Sequence, residues 1–314
     1  MTTSLLPPET LPDAPEPAID AREGLAASRR SILPSFVRRY LANPVSVGAL
    51  IVFVLILLFA FVGPLLWKYQ FDVYTSDNSA PPSWEHPFGT DSTGFDGLAQ
   101  VMRGTQRSIQ IALFVALTAT LVGALVGAIA GYYGRFVDGV IMRTVDLVLV
   151  FPSIAVAAVL AYMSMGTQTS WFTIGIVLAF LAWPVVARVV RSDVMTLAKS
   201  DYVAAAKGLG ASDFSVIVRH LIPNAMGTIS VAVTVLTATA ILSETSLSYL
   251  GFGVQSPDTS LGLLISEAQS AVTTRPWLFY FPGLFIVLIA LTVSFIGDGL
   301  RRALDPRQST KGRA

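Results

Sequence analysis

The stretch DYVAAAKGLGASDFSVIVRHLIPN, residues 201–224, decides the reading of the fold, because it is a polar island in an otherwise apolar chain. Residues 202–207 are rich in alanine, the strongest helix former. Gly208, Leu209 and Gly210 end that helix, since glycine takes positive φ without steric cost. Ser212 suits an N-cap, with Asp213 in the first turn of a second helix where its charge favours the dipole. Pro223 marks the bend into the next apolar segment. The pattern predicts a helix–turn–helix with two uses open: a solvated connection, or an element that docks onto a partner.

Composition limits what surrounds this island. Hydrophobic residues make up 53% of the 314 and charged residues 13%, against about 25% charged in a soluble domain. An ordinary soluble enzyme is excluded. With no cysteine there is no disulfide framework, thiol nucleophile or iron–sulfur site. A net charge of +1 makes no case for nucleic acid. No phosphate loop of the form Gly-x-x-x-x-Gly-Lys-Ser/Thr occurs, so ATP hydrolysis by this chain is not expected. No series of buried Lys and Asp argues for an ion-coupled carrier either.

Working outward, downstream of the island comes a predicted span at 224–249. Its one acid, Glu244, is a functional candidate by default at membrane depth, although Ser243, Thr245 and Ser246 offer to satisfy it near the interface. A glycine-punctuated loop holds a short helix at 261–272, and a last span follows at 278–296. Upstream, no charge appears from 147 to 187, too long for one helix and suited to two. A span at 171–194 contains Pro184 and ends near Arg188, Arg191 and Asp193. The turn before it lies at 165–170. A span at 141–163 contains Asp146 and Pro152, with Arg143 three residues before Asp146 and expected to pair with it. A short turn is expected over 134–143. The run 108–134 carries Gly123, Gly127 and Gly131 on one helical face, a spacing that lets helices approach closely. A first span covers 45–67, since about 20 residues cross a bilayer.

Between the first two spans lies a polar segment, 68–106, with turn residues Gly89, Asp91, Gly94 and Gly97. His86, Asp91 and Asp96 are metal-ligating types, but one histidine among scattered acids in a glycine-rich loop reads as turn chemistry, and no metal site is assigned. Residues 1–40 hold many prolines and several charges and read as a disordered tail rather than a signal peptide. Within it, 36–41 suits either a short surface helix beside anionic lipid or a plain linker.

Six spans put both termini on one side. Lys68, Arg103, Arg107 and Arg275 fall on the other side, leaving 17 of the 21 basic residues with the termini and the island. The positive-inside rule therefore places the termini and residues 201–224 in the cytoplasm.

The island resembles the cytoplasmic coupling loop of ABC importer permeases: Glu-Ala-Ala, three residues, Gly, nine residues, a hydrophobic position, one residue, Leu or Ile, then Pro. Ala204, Ala205 and Ala206 stand in the first three places, Gly210 is the glycine, Ile222 the aliphatic and Pro223 the proline. Ala204 replaces the usual glutamate, and His220 stands at the first hydrophobic position, as in the oligopeptide and dipeptide branch. The run His-Pro-Phe-Gly-Thr-Asp at 86–91 and Leu-Asp-Pro-Arg at 304–307 are similar to that branch as well, with Phe95 where the branch often has arginine.

This resemblance implies an all-α polytopic membrane protein with six transmembrane helices, the type I ABC importer permease fold, and the C-type subunit of a permease heterodimer. Its divisions would be a cytoplasmic tail at 1–40, a first helix and extracytoplasmic segment at 41–107, a five-helix core at 108–300 with the coupling loop at 199–223, and a cytoplasmic tail at 301–314. The implied partners are a homologous permease, two ABC ATPases, an extracytoplasmic substrate-binding protein, a peptide substrate and the lipid bilayer, with no nucleic acid. No cofactor belongs to this chain; ATP and Mg would sit on the ATPases. The ATPase contact would use Asp201, Tyr202, Ala204, Ala205, Ala206, Lys207, Gly208, Gly210, His220 and Pro223. Tyr202, Ala205 and Ala206 would pack and Gly210 would set the bend. Asp146 and Glu244 are polar candidates for translocation or structure. Substrate would pass along the helices that follow Gly134 and Asn224. A nickel or glutathione permease is the alternative of the same design. A stand-alone polytopic enzyme or channel is the alternative of another class, against which stand only two histidines and no repeated pore motif.

Overall fold

The computed structural model describes residues 32–164 and 171–304. Expectations for 1–31, for the turn at 165–170 and for 305–314 lie outside the described residues. The helices are α1 (Ile32–Leu41), α2 (Pro44–Phe61), α3 (Gly63–Leu66), α4 (Gly97–Tyr133), α5 (Arg135–Val150), α6 (Ser153–Ser164), α7 (Trp171–Leu197), α8 (Asp201–Gly208), α9 (Asp213–Val216), α10 (Ile222–Asn224), α11 (Met226–Tyr249), α12 (Leu261–Ala268) and α13 (Trp277–Leu304). Among the described residues there is no β-sheet, only two isolated bridges. Five helices (α2, α4, α7, α11 and α13) are each long and apolar enough to span a membrane, and α5 with α6 makes a sixth, bent by 81°. The fold is the all-α polytopic one that the sequence implies.

The centre of the bundle is α4 against α7. The glycine stripe fixes how close they come. A Cβ on Gly123 would lie 2.6 Å from Val186 Cβ, and one on Gly131 2.7 Å from the Arg191 carbonyl, while Gly127 abuts the Ala187 carbonyl. With no side chain at these three steps, backbone packs directly on backbone. Ala116, Ala119 and Ala128 flank the stripe, all buried. α11 and α13 close the core from the other side, around Ile241, Leu247, Ile286 and Ile289. Outside, Leu55, Leu117, Leu121, Phe180 and Val287 stay exposed, as a lipid-facing belt requires.

Several boundaries differ from the sequence reading. α4 begins at Gly97, inside the segment expected to be turns, and it carries Arg103 and Arg107 within its length. Asp96 is its N-cap and accepts from the Ala99 N–H at 2.8 Å. Both arginines are paired with Asp258, so their charges do not interrupt the helix. The division expected at 107/108 therefore falls within one continuous helix. Helix α5 starts at Arg135 and replaces the turn expected over 134–143. The span expected at 141–163 breaks at Phe151 and Pro152, because proline has no N–H to continue the ladder. Helix α13 continues through Leu304 instead of ending at 296, and α2 stops at Phe61, followed by the separate turn of α3. Residues 32–41 are helical, so of the two readings offered for 36–41 the helix holds, and it begins four residues earlier, inside the stretch expected to be a disordered tail.

Residues 67–96 form a small lobe at the N-terminal end of α4. His86 is 2% exposed, and its Nδ1 lies 2.7 Å from Asp96 Oδ2. Trp67 Nε1 donates to Asp96 Oδ1 at 2.9 Å. Tyr69 stacks on the His86 ring and donates to Glu85 at 2.8 Å, where Lys68 also donates at 2.7 Å. These bonds hold the Glu85 carboxyl below its ordinary range. Asp91 accepts from the Thr93 and Phe95 N–H groups, closing a local turn. The three metal-type residues thus serve a helix cap and a turn.

Candidate functional site

The loop between α7 and α11 is tied to the ends of the spans. Val203, Val216, Ile217 and Leu221 are buried in one cluster with Val190 and Val194 of α7 and Ala225. Helix α8 ends in a complete Schellman motif. The Gly210 N–H reaches the Lys207 carbonyl at 2.9 Å, and the Ala211 N–H reaches the Ala206 carbonyl at 3.1 Å. The motif needs a left-handed residue, and Gly210 supplies it with φ +83°. Ser212 caps α9 through the Ser215 N–H, with Asp213 in the first turn, as its sequence position predicts.

A second lock comes from α4. The Tyr132 hydroxyl donates to Asp213, and Lys207 Nζ lies 4.7 Å from the centre of the Tyr132 ring and 3.9 Å from Asp213 Oδ1. The Tyr132 side chain and the Asp213 carboxylate hold the Lys207 ammonium above its ordinary range. The loop thus grips the C-terminal end of α4 as well as α7. After α9 the chain passes through a π-helical turn, Ile217–Leu221, before Pro223 and α11.

The outside of the loop carries two large apolar side chains among polar ones. Leu209 is 90% exposed and Phe214 75%. Asp201, Tyr202, Ala204, Ala205, Lys207, Gly208 and Gly210 are also exposed, and Ala206 is half-buried. His220 is half-buried and its carbonyl accepts from Asn224 Nδ2 at 2.6 Å, while Pro223 is exposed on α10. The sequence-predicted residues on α8 therefore share one short helix, whereas His220 and Pro223 lie on the return to the membrane. Sequence reasoning missed Val203 as the anchor, Tyr132 as the lock, and Leu209 and Phe214 as the outward face. The signal for the last two was present: each is a large apolar side chain within a polar island.

Asp146 does not pair with Arg143. Arg188 of α7 donates to it at 2.6 Å, and Arg191 binds Asp138 in parallel. Asp138 and Asp146 lie two turns apart and both face α7, so the interhelical pairing replaces the expected local one. Asp193 accepts from Thr228 of α11 at 2.7 Å, linking the helices on either side of the loop.

Glu244 is completely buried. The Ser108 hydroxyl of α4 donates to it at 3.0 Å and that of Ser248 at 2.7 Å. Ser108 Oγ in turn accepts the Leu261 N–H at 3.2 Å, and Ser260 caps α12. The carboxyl thus joins α4, α11 and the start of α12. The expected partners Ser243, Thr245 and Ser246 do not contact it, because residues one or two apart leave a helix on different faces. Ser248, four residues on, shares its face.

Beside this junction a cavity of about 300 Å³ opens between the broken span and α11, with Leu149, Ser153, Ala157, Thr239 and Ser243 in its wall. Its walls include helices that follow Gly134 and Asn224.

Residues 123–310 match the family described as binding-protein-dependent transport system inner membrane component, and residues 31–82 match the N-terminal TM domain of oligopeptide transport permease C. The chain is 39% identical over 283 residues to the oligopeptide transport system permease protein OppC of Mycobacterium tuberculosis (strain ATCC 25618 / H37Rv), covering 89% of this chain and 95% of that protein. It is 35% identical to OppC of Bacillus subtilis (strain 168), covering 91% of this chain and 93% of that protein. It is 34% identical to the dipeptide transport system permease protein DppC of Alkalihalophilus pseudofirmus, covering 85% and 88%.

Proposed function

The chain belongs to the family of binding-protein-dependent transport system inner membrane components, and from that premise we propose that it forms half of the translocation pathway of an ATP-driven importer for oligopeptides or dipeptides. The observation that carries the coupling role is the exposed apolar face of Leu209 and Phe214, held on a loop that is locked to α4 and α7. An apolar face on a rigid hairpin suits a groove on a partner, and a solvated connection would have no use for it. In this reading α8 seats in a cytoplasmic ATPase, which supplies the hydrolysis of Mg-bound ATP. Tyr202, Ala205 and Leu209 make the contact, and Gly210 sets the angle between α8 and α9.

ATP-driven closure of two ATPases displaces the seated loops. The loop transmits that displacement to α4 through Tyr132 and to α7 through Val190 and Val194. A homologous permease completes the pathway, and the exposed side of α5 and α6, with Phe136 83% and Val150 76% exposed, faces it. The cavity at the break lies on this side, and its mixture of aliphatic and hydroxyl groups suits a peptide backbone with varied side chains. A binding protein delivers the peptide from the side of the lobe. The distribution of basic residues supports cytoplasmic termini in a bacterial inner membrane.

The test is co-purification of the permease pair with its co-expressed ATPases. Leu209→Asp with Phe214→Asp, both on exposed positions, leaves the permease pair intact and loses the ATPase. Retention of the ATPase at the wild-type ratio refutes the coupling assignment.

A further inference from the structure

The lobe at residues 67–96 carries an apolar surface that neither the coupling role nor the pathway uses. Helix α3 has an inner and an outer side. Its inner side is set by Gly63, where a Cβ would lie 2.7 Å from Met102 Sδ of α4. Its outer side shows Leu65 and Leu66, each 82% exposed. Trp67, the next residue, is bonded to the α4 cap Asp96, so α3 is held in place with both leucines outward. Trp84 is exposed over its whole side chain. The turn that carries it is closed by the Ser83 N–H to the His86 carbonyl at 2.9 Å and by the His86 N–H to Ser83 Oγ at 3.0 Å. Its neighbour Glu85 is bonded to Lys68 and Tyr69, and these directly follow Leu66 and Trp67 in the chain.

The level of this surface follows from α2. Eighteen residues rise about 27 Å, slightly less than the hydrocarbon thickness of about 30 Å. The hydrocarbon edge on the lobe's side therefore falls just beyond Phe61, on α3. The exposed face of α2, including Leu55, Leu58 and Phe61, runs directly into Leu65 and Leu66. A tryptophan with an apolar body and one N–H suits the headgroup level next to such an edge, and the Lys68 ammonium is bonded to Glu85, the residue after Trp84.

We propose that Leu65, Leu66 and Trp84 seat the lobe in the outer boundary of the bilayer, so that lipid, rather than a protein partner, covers this surface. The lobe then rests on the membrane as a fixed support for the N-cap of α4. Continuity with the lipid-facing side of α2 favours lipid over a soluble partner, which would have to approach at the level of the headgroups.

The absence of cysteine makes the test direct. Leu66→Cys, Trp84→Cys and, as a control on the lobe's exposed loop, Ser92→Cys are each labelled with a nitroxide in the full chain with its co-expressed partner subunits in lipid nanodiscs. Collision with oxygen, which concentrates in lipid, is compared with collision with a water-soluble nickel chelate. Labels at 66 and 84 show an oxygen-to-nickel ratio several-fold above that at 92, whether or not the binding protein is added. A water-like ratio at 84, equal to that at 92, overturns the proposal. So does a label at 84 that is water-exposed alone and becomes immobilised only when the binding protein is added, which makes the surface a protein-docking site.

Discussion

Replacing Gly210 with valine isolates backbone strain from every other effect. Gly210 sits at φ +83°, and a Cβ there meets nothing within 4 Å, so no steric clash contributes. The cost is that of a β-branched residue in the left-handed region, about 1–3 kcal/mol. At about 1.4 kcal/mol per factor of ten, this lowers the population of the observed bend by roughly 5- to 150-fold relative to any relaxed alternative. The relaxed loop gives up the bonds from Gly210 and Ala211 to the Lys207 and Ala206 carbonyls and turns α8 away from α9. The spans are untouched, because Gly210 lies outside the bilayer. Gly210→Val therefore inserts and expresses normally, while peptide uptake falls about tenfold or more and ATPase co-purification weakens. Gly210→Asn, which tolerates the left-handed region, falls between. Gly208→Ala is the control: its position is also open but its φ is not positive, and alanine favours a helix over glycine, so uptake is unchanged. Wild-type uptake by Gly210→Val with its ATPase bound refutes the argument.

Other perturbations separate packing from charge. Glu244→Gln keeps the volume but only one acceptor oxygen, so one of the Ser108 and Ser248 hydroxyls keeps its acceptor and the other turns to accept from the amide, and thermal unfolding in detergent shows a loss of about 1 kcal/mol. Glu244→Ala leaves both hydroxyls facing a void and costs about 3–5 kcal/mol; equal melting of the two variants would sink the junction described here. Gly127→Leu pushes α4 from α7 and abolishes folded protein, read by size-exclusion profile. Tyr132→Phe removes the bond to Asp213 but keeps the ring under Lys207, and it lowers ATPase stimulation by substrate without lowering expression. Ala204→Glu, at an exposed position, leaves uptake unchanged.

The helix–turn–helix of the loop was legible because its signals are local: an alanine run, a glycine pair, a serine cap. The same holds for the glycine stripe, whose spacing alone predicts close approach to another helix. What escaped was whatever depends on distant partners. The start of α4 is disguised by Gly89, Gly94 and Gly97 and by two arginines. Their neutralising partner, Asp258, lies about 150 residues downstream. Arg143 and Asp146 have the spacing of a pair, but Arg188 is placed closer by the packing of α5 on α7. Glu244 shows its nature as a buried acid in the sequence, whereas its partner Ser108 is 136 residues away. The outward face of the 201–224 loop was partly legible. Tyr202 and Ala205 followed from the motif, while Leu209 and Phe214 fall at positions the motif does not specify.

The length of α4 carries one more consequence. Its 37 residues run for about 55 Å, nearly twice the hydrocarbon thickness, without a proline. One end is capped by Asp96 within the lobe and the other grips the 201–224 loop through Tyr132. Such a rod acts as a lever: tilting it by one degree about its capped end moves Tyr132 by about 1 Å. The lobe and the 201–224 loop are thereby joined by a single unbroken arm, with no joint to absorb a movement of either.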